Sequence, residues 1–411
     1  MKLVPVLLAL LLVLSASPAM AKQKTDPLLT LGELPNASLL FEENGKEMLS
    51  KRADEPMVPA STLKIVTALA AIDKLGLDYR FTTDFHLDDK KQLWVIGSGD
   101  PFMVSEELDL VATALKERGM TSVNSIVLDG SRYGEDLFVD GRTDTDNPYD
   151  APLSALAVNF NTVAFQRKKG KGLLRAEKQT PLTKTSRQLG EVKLKGYGAN
   201  RVNLKTRERA ETYFGELLVA KLGEAGISVK EGETIRFAKW KGRDKPLYRH
   251  ENSRNLGQVI KSMLASSSNF IANTLFLYMA DKGNGNTLEM ADARREMRQW
   301  IKREFGWKDY SVIEGSGLSR GNSLTARQLL QAVKAFEPYR ELMPHYKGKV
   351  RAKTGTLRDV SCYAGFVNRK GAWQPFCLLI NQPVSGAFRK HVAEAMADNN
   401  RLPALCDSAR C

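Results

Sequence analysis

The stretch from Ser61 to Leu75 constrains this chain more than any other. Pro59 and Ala60 lead into it and Gly76 closes it, the punctuation of a helix. Ile65, Val66, Ala68, Leu69 and Ile72 make it apolar on most sides, and Ala70 and Ala71 allow close approach by neighbours. A helix of that kind belongs in the middle of a domain. It nevertheless carries Ser61 and Lys64. Residues three apart share a helix face, so the lysine amine can reach the serine oxygen. A nucleophile and a candidate base therefore come in one turn, with Ser61 near the positive end of the helix dipole.

Ser61-Thr62-Leu63-Lys64 is the only Ser-x-x-Lys in the chain, and Lys353-Thr354-Gly355 is its only Lys-Thr-Gly. The latter, followed by Thr356, opens a strand-like run. There Gly355 permits close backbone approach, and Lys353 and Gly355 share one face. Ser-x-Asn occurs three times. Ser122-Val123-Asn124 and Ser253-Arg254-Asn255 sit in polar, turn-like settings and read as loop or capping residues. Ser267-Ser268-Asn269 lies between apolar helical runs; its plain reading is a serine-rich turn, yet a polar cluster there needs a reason. Taken in order, the three motifs suggest an acyl-serine active site.

The rival base is histidine. His86, His250, His345 and His391 are scattered, and no Gly-x-Ser-x-Gly accompanies them, which disfavours a Ser-His-Asp mechanism. There is no His-x-x-x-His and no paired Cys-x-x-Cys, so neither a metal nor another cofactor is expected.

The first residues read as a leader. Met1-Lys2, the leucine-rich run to Leu14 and Ala19-Met20-Ala21 match a secretory signal peptide over residues 1–21, cleaved near Ala21. The alternative is an uncleaved anchor, against which the short apolar core argues. An exported, periplasmic or secreted protein is expected. The formal charge is +14, and between Gln166 and Lys205 twelve Lys/Arg face two acids, Glu177 and Glu191. Export makes nucleic acid an improbable partner for that basic stretch; an anionic envelope polymer or membrane surface fits better, beside the bland reading of a solvated face.

All four cysteines lie late: Cys362, Cys377, Cys406 and Cys411. Cys362 and Cys377 fall on two strand-like runs, Val360–Val367 and Ala372–Ile380. If Asn368-Arg369-Lys370-Gly371 is the hairpin loop, the two thiols face each other within disulfide reach. Cys406 and Cys411 would then close a small loop. The alternative is a pair of buried, reduced thiols.

Ala37–Phe41 and Glu47–Leu49 read as a hairpin turning at Asn44-Gly45. From Phe81 to about Tyr248, strand-like runs such as Leu93–Ile96, Ser125–Leu128, Val163–Phe165, Gly190–Leu194 and Thr234–Phe237 alternate with loops. Helical runs Glu106–Arg118 and Arg209–Ala225 interrupt them. Helices return at Leu256–Ala265, Phe270–Ala280, Thr287–Phe305 and Thr325–Ala335, and the chain ends in strands and a helix near Phe388–Asp398. The expected organisation is α+β: a discontinuous domain of residues 22–82 plus 251–411, with an inserted α+β, β-rich domain at 83–250.

Longer matches make a resemblance specific. Pro59-Ala60-Ser61-Thr62 through Ala71, Phe81-Thr82-Thr83, Gly97-Ser98-Gly99-Asp100-Pro101 and Asn147-Pro148-Tyr149-Asp150-Ala151-Pro152 are similar to low-molecular-mass class C penicillin-binding proteins. So are Gly315-Ser316-Gly317-Leu318-Ser319-Arg320 and Val350 to Thr356. The chain thus resembles the D-alanyl-D-alanine carboxypeptidase/endopeptidase family typified by penicillin-binding protein 4, strongly at the motifs and loosely in Gln166–Tyr248. It departs in an insert short for a third nested domain, expected reduced or absent. It also departs in an abbreviated Ala335–Val350 segment, and in Glu314 where Asp is usual.

The resemblance implies a transpeptidase/β-lactamase-like domain, an antiparallel sheet with helices on both sides and a helical subdomain. It implies that Ser61 attacks the carbonyl between two D-alanines, Lys64 accepts its proton and Ser267 relays a proton to the leaving amine. Asn269 would hold the substrate or Lys64; Lys353, Thr354, Gly355 and Thr356 would bind the terminal carboxylate. The amides of Ser61 and Thr356 would form the oxyanion hole. Implied partners are peptidoglycan pentapeptide or cross-linked muropeptides, with β-lactams as acylating inhibitors. A serine β-lactamase, or a catalytically inert cell-wall binding protein of the same fold, are the alternatives.

Overall fold

The computed structural model describes residues 26–135, 137–193, 196–230, 235–398 and 402–405. The leader with its expected cleavage near Ala21, and the Cys406–Cys411 pair, lie outside the described residues.

A six-stranded antiparallel sheet runs in the order His345–Tyr346, Val350–Leu357, Val360–Arg369, Ala372–Ile380, Ala37–Glu43, Lys46–Lys51. Its strands are apolar on both faces because both are covered. Leu40, Cys362, Ala364, Phe366, Cys377 and Leu379 join a core with the helices Lys64–Leu75, Leu256–Ser266, Asn269–Leu277 and Ala326–Ala335. The alternate residues Leu39, Phe41, Tyr363, Val367, Phe376 and Leu378 pack against Pro27–Glu33 and Phe388–Asp398 through Leu28, Leu31, Val392 and Met396. This is the expected α+β arrangement with helices on both sides of an antiparallel sheet. The Ala37–Glu43 strand pairs with the late Ala372–Ile380 strand, which stitches the two ends of the chain together.

The middle of the chain builds a second, mixed sheet in the order Ile235–Phe237, Ser125–Asp129, Gln92–Gly97, Thr82–Leu87, Tyr248–Glu251. Helices Ser105–Glu117 and Arg207–Glu224 pack on it around a separate apolar cluster that includes Phe85, Leu108, Ile126, Phe214 and Leu217. Thr82 pairs with Glu251, so the two chain crossings lie side by side. Residues Thr162–Arg167, Leu173–Arg175 and Gly198–Asn203 form a small antiparallel sheet beside helix Lys184–Lys193. Tyr133, Val139, Leu153 and Ala155, by contrast, pack into the core of the first body.

Two expectations need correction. Gly190–Leu194 is not a strand through its described residues; Gly190 lies in helix Lys184–Lys193. A Cβ on Gly190 would stand 2.4 Å from Leu173 Cδ2, so the glycine serves helix-to-sheet packing, a tertiary contact that local pattern does not report. The thiols also do not pair. Lys370 and Gly371, with φ of 52° and 85°, make a two-residue turn of the left-handed kind that suits hairpins. Arg369 therefore pairs with Ala372, and Cys377 faces Ala364 rather than Cys362. Both thiols are free and buried, and burial raises Cys362 to about 12.

Candidate active site

Ser61 lies in a single 3-10 turn, Ala60–Leu63, just ahead of the α-helix Lys64–Leu75. Ala60 has φ 46°, a left-handed conformation that an L residue adopts only when its surroundings enforce it. Two glycines do so. Gly317, itself at φ +79°, lets its loop press so close that a Cβ would fall 1.8 Å from Ala60 O. Gly355 approaches from the sheet, where a Cβ would fall 2.8 Å from Pro59 O. The serine turn is thus clamped between the Gly315–Gly317 loop and the strand Val350–Leu357.

Lys64 is wholly buried. Its Nζ stands 3.0 Å from Ser61 Oγ, 2.8 Å from Asn269 Oδ1 and 2.7 Å from Ser316 O. As an ammonium it can donate to all three. As a neutral amine it can donate to Asn269 and Ser316 and turn its lone pair to the serine hydroxyl. Burial, and then the Lys353 cation, hold the amine well below the usual lysine range; the Glu314 carboxylate opposes them. Glu314 is itself buried and ties its loop by accepting from the amides of Ser316 (2.8 Å) and Leu318 (2.7 Å) and from Asn322 Nδ2 (2.9 Å).

Ser267 caps helix Leu256–Ser266 in a left-handed conformation (φ 57°), and Ser268 caps helix Asn269–Leu277 by accepting from Ile271 N. The Ser-Ser-Asn triplet is therefore a serine-rich inter-helix turn and also part of the cluster; the two readings coincide. Ser267 Oγ accepts from Lys353 Nζ at 2.8 Å, and Lys353 also donates to Thr354 O at 2.8 Å. Burial, helped by the Arg389 cation, lowers Lys353 to about 7. Along the strand Lys353 and Gly355 are buried while Thr354 is half-buried and Thr356 exposed, the alternation that period two demands.

The three motif segments, Ser61 to Lys64, Ser267 to Asn269 and Lys353 to Thr356, are brought together here. The other two Ser-x-Asn triplets are not: Asn255 caps a helix in a capping box, and Asn124 Nδ2 donates to Lys90 O at 2.7 Å. His250 is buried against Glu107, 2.9 Å away, outside the cleft. Among the described residues no group of three or more His, Cys, Asp or Glu could hold a metal ion. Three participants were missed. Ser316 meets Lys64 through its carbonyl while its amide and hydroxyl donate to Glu314, and the Gly-Ser-Gly match was the sole signal for it. Asn273 holds that loop through Gly315 N at 2.7 Å. Arg389, in the final helix, donates to Gly355 O at 2.7 Å and Thr356 Oγ1 at 2.8 Å, and no motif marks it.

The fold matches solved penicillin-binding structures. Penicillin binding protein 4 from Haemophilus influenzae aligns with TM-score 0.74 and 18% identity over 90% of this chain and 97% of that one. A predatory peptidoglycan endopeptidase from Bdellovibrio bacteriovorus aligns with TM-score 0.55 and 16% identity over 92% and 96% of the two chains. At such identities the likeness establishes the fold. The chain belongs to the D-Ala-D-Ala carboxypeptidase 3 (S13) family, whose model matches residues 39–341 and 339–401, and so to the low-molecular-mass class C penicillin-binding proteins. A D-alanyl-D-alanine carboxypeptidase of Actinomadura sp. (strain R39) is 30% identical over 143 residues, 32% of this chain and 26% of that relative.

Proposed function

We propose that this protein hydrolyses D-Ala-D-Ala-type bonds of peptidoglycan peptides, as carboxypeptidase, endopeptidase or both, through an acyl-serine intermediate. The observation that carries the reading is the Lys64 amine, stripped of water and set 3.0 Å from Ser61 Oγ. Ser61 Oγ attacks the carbonyl carbon while its proton passes to neutral Lys64. The amides of Ser61 and Thr356 receive the oxyanion, the largest single contribution such sites offer. The C–N bond then breaks, and the leaving nitrogen takes a proton through Ser267, which Lys353 holds in place. Lys353, Thr354 and Thr356 receive the substrate's terminal carboxylate beside Gly355, a cation next to hydroxyls. Asn269 orients Lys64 and the substrate amide. Water finally hydrolyses the ester and frees Ser61.

Penicillins would acylate the same serine. Replacing Ser61 with alanine is expected to abolish covalent labelling by a fluorescent penicillin; undiminished labelling in that variant would overturn the assignment.

The leader expected at residues 1–21 puts this chemistry outside the cytoplasm. In this reading residues 22–82 and 251–411 form the catalytic domain and 83–250 the insert, meeting at the Thr82–Glu251 pair. Within the insert, Lys168, Lys169 and Lys171 are exposed at one end of the small sheet and offer contact to an anionic polymer or membrane surface.

A further inference from the structure

A cavity of 710 Å³ opens beside the reaction centre and shares Ser267 and Asn269 with it. Sites for drug-sized ligands span roughly 300–1,000 Å³. One wall is the end of helix Leu256–Ser266 and the turn after it, including Ser262, Ala265 and Phe270. The facing wall comes from the middle of the chain, through Phe102, Tyr149, Phe160 and Arg201. Its surface is mainly apolar, interspersed with serine and threonine hydroxyls and one guanidinium.

The facing wall is built at a conformational cost. Asn159, Phe160 and Asn161 have φ of 51°, 60° and 53°, three left-handed residues in a row. For a bulky residue such as phenylalanine that is an outlier, which persists only where neighbours over-determine it. They do so here. Asn159 Oδ1 accepts from Ser105 N at 3.0 Å, and its Nδ2 donates to Ser105 Oγ at 2.9 Å. Asn161 Nδ2 donates to Pro152 O at 2.8 Å. The result is a Phe160 ring held edge-on to Phe102 (5.1 Å) and turned toward Phe270 (6.4 Å) on the catalytic side. Phe160 remains half-buried and Tyr149 is 52% exposed. A turn serving the core alone would bury its ring; this one presents it to the cavity.

We propose that this cavity is the subsite for the peptide strand that carries the leaving amine of a cross-linked peptidoglycan peptide, with the Asn159–Asn161 turn as its wall. The inference rests on the acyl-serine reading above, in which Ser267 stands beside the leaving nitrogen. A single D-alanine leaving group is held by its carboxylate at Lys353–Thr356 and needs nothing further. A cross-link leaves with a whole second stem peptide attached, which must continue past Ser267. Alanine methyls and the methylenes of a diamino acid suit the faces of Phe102, Phe160 and Phe270. Amides and carboxylates suit the half-buried Arg201 guanidinium, which is paired with Glu177 and donates to the buried Thr162 hydroxyl.

The test compares two substrates on the mature chain: D-alanine release from a pentapeptide and cleavage of a cross-linked muropeptide dimer. Ala265 is exposed on the rim, so Ala265→Trp fills the cavity without disturbing a core. The ratio of kcat/KM for dimer over pentapeptide is expected to fall roughly ten-fold, mainly through KM. Phe160→Leu is expected to move the ratio the same way by about three-fold. An unchanged ratio, an equal fall for both substrates, or a wild-type protein that trims pentapeptide but leaves the dimer intact overturns the subsite. Failure of the underlying reading looks different: the wild-type chain would then take no penicillin label and cleave neither substrate.

Discussion

The surroundings of Lys64 and of Glu107 are both buried polar clusters, and they hold their charged groups in opposite ways. Lys64 meets a hydroxyl, an amide oxygen and a backbone carbonyl; among the described residues no carboxylate bonds to it. Burial, and then the Lys353 cation, push it toward the neutral amine against the pull of Glu314. Glu107 lies where strand Tyr248–Glu251 returns past helix Ser105–Glu117. It bonds to His250 Nε2 at 2.9 Å and accepts from Ser253 N at 3.0 Å and from the Ser253 hydroxyl. Burial pushes its carboxyl up, but His250 and the two Ser253 donors outweigh burial and hold it below the usual range. A buried charge supplied with partners becomes a fixed strut. One left without a bonded counter-charge becomes a group ready to change its proton. The first cluster suits catalysis and the second suits the crossing between the two bodies.

That contrast can be broken most directly at Lys64. Lys64→Met keeps the volume and removes the base, so penicillin acylation should fall about 10³-fold. The native fold lowers the pKa of this amine, so the unfolded chain binds its proton more tightly, a linkage that costs stability as pH falls below the usual lysine value. The variant should therefore melt no lower than wild type at neutral pH; a clear loss of Tm would refute the idea that the site is held against stability. In the wild type, acylation should rise with pH through an inflexion well below 10.5, the ordinary lysine value.

Glu107→Gln should do the reverse. Removing the charge from a buried carboxylate that several hydrogen bonds converge on costs about 1.5–3 kcal/mol, so calorimetry should show a destabilised protein. Its acylation rate per folded molecule should stay near wild type, and a parallel collapse of acylation would mean the strut also shapes the cleft.

Arg389→Ala carries the smallest expected effect. It removes a guanidinium that holds Thr356 and repels Lys353. Acylation by carboxylate-bearing penicillins should weaken by roughly ten-fold. Lys353, now lowered to about 7, should titrate higher once the neighbouring cation is gone. The alkaline limb of the acylation profile should move up accordingly. A merely structural arginine would leave that limb in place.

Much of this was legible in the chain. Ser61 and Lys64 are linked by helical spacing, which is local, and an apolar helix around them announces burial. The hairpin at Asn44-Gly45 and the covered strands likewise follow from pattern, with Asn44 and Gly45 at φ 53° and 76°. The cysteine pairing failed because loop length sets register. A two-residue turn in place of four moved Cys377 opposite Ala364. Arg389 was invisible because its guanidinium acts across space from a helix that packs on the far face of the sheet. Phe160 was invisible because nothing in Asn-Phe-Asn announces three left-handed residues.

The sequence by itself determined the chemical groups, their local spacing and the two-faced sheet, since helix and strand periods are short-range properties. The tertiary structure alone decided whether Ser61, Asn269 and Lys353 would meet, how far Lys64 would be stripped of water, and what would border the cleft. Those outcomes depend on desolvation and on contacts between segments far apart in the chain. The lysine one turn after Ser61 is a coincidence of spacing until Ser316 O, Asn269 and Lys353 close around it.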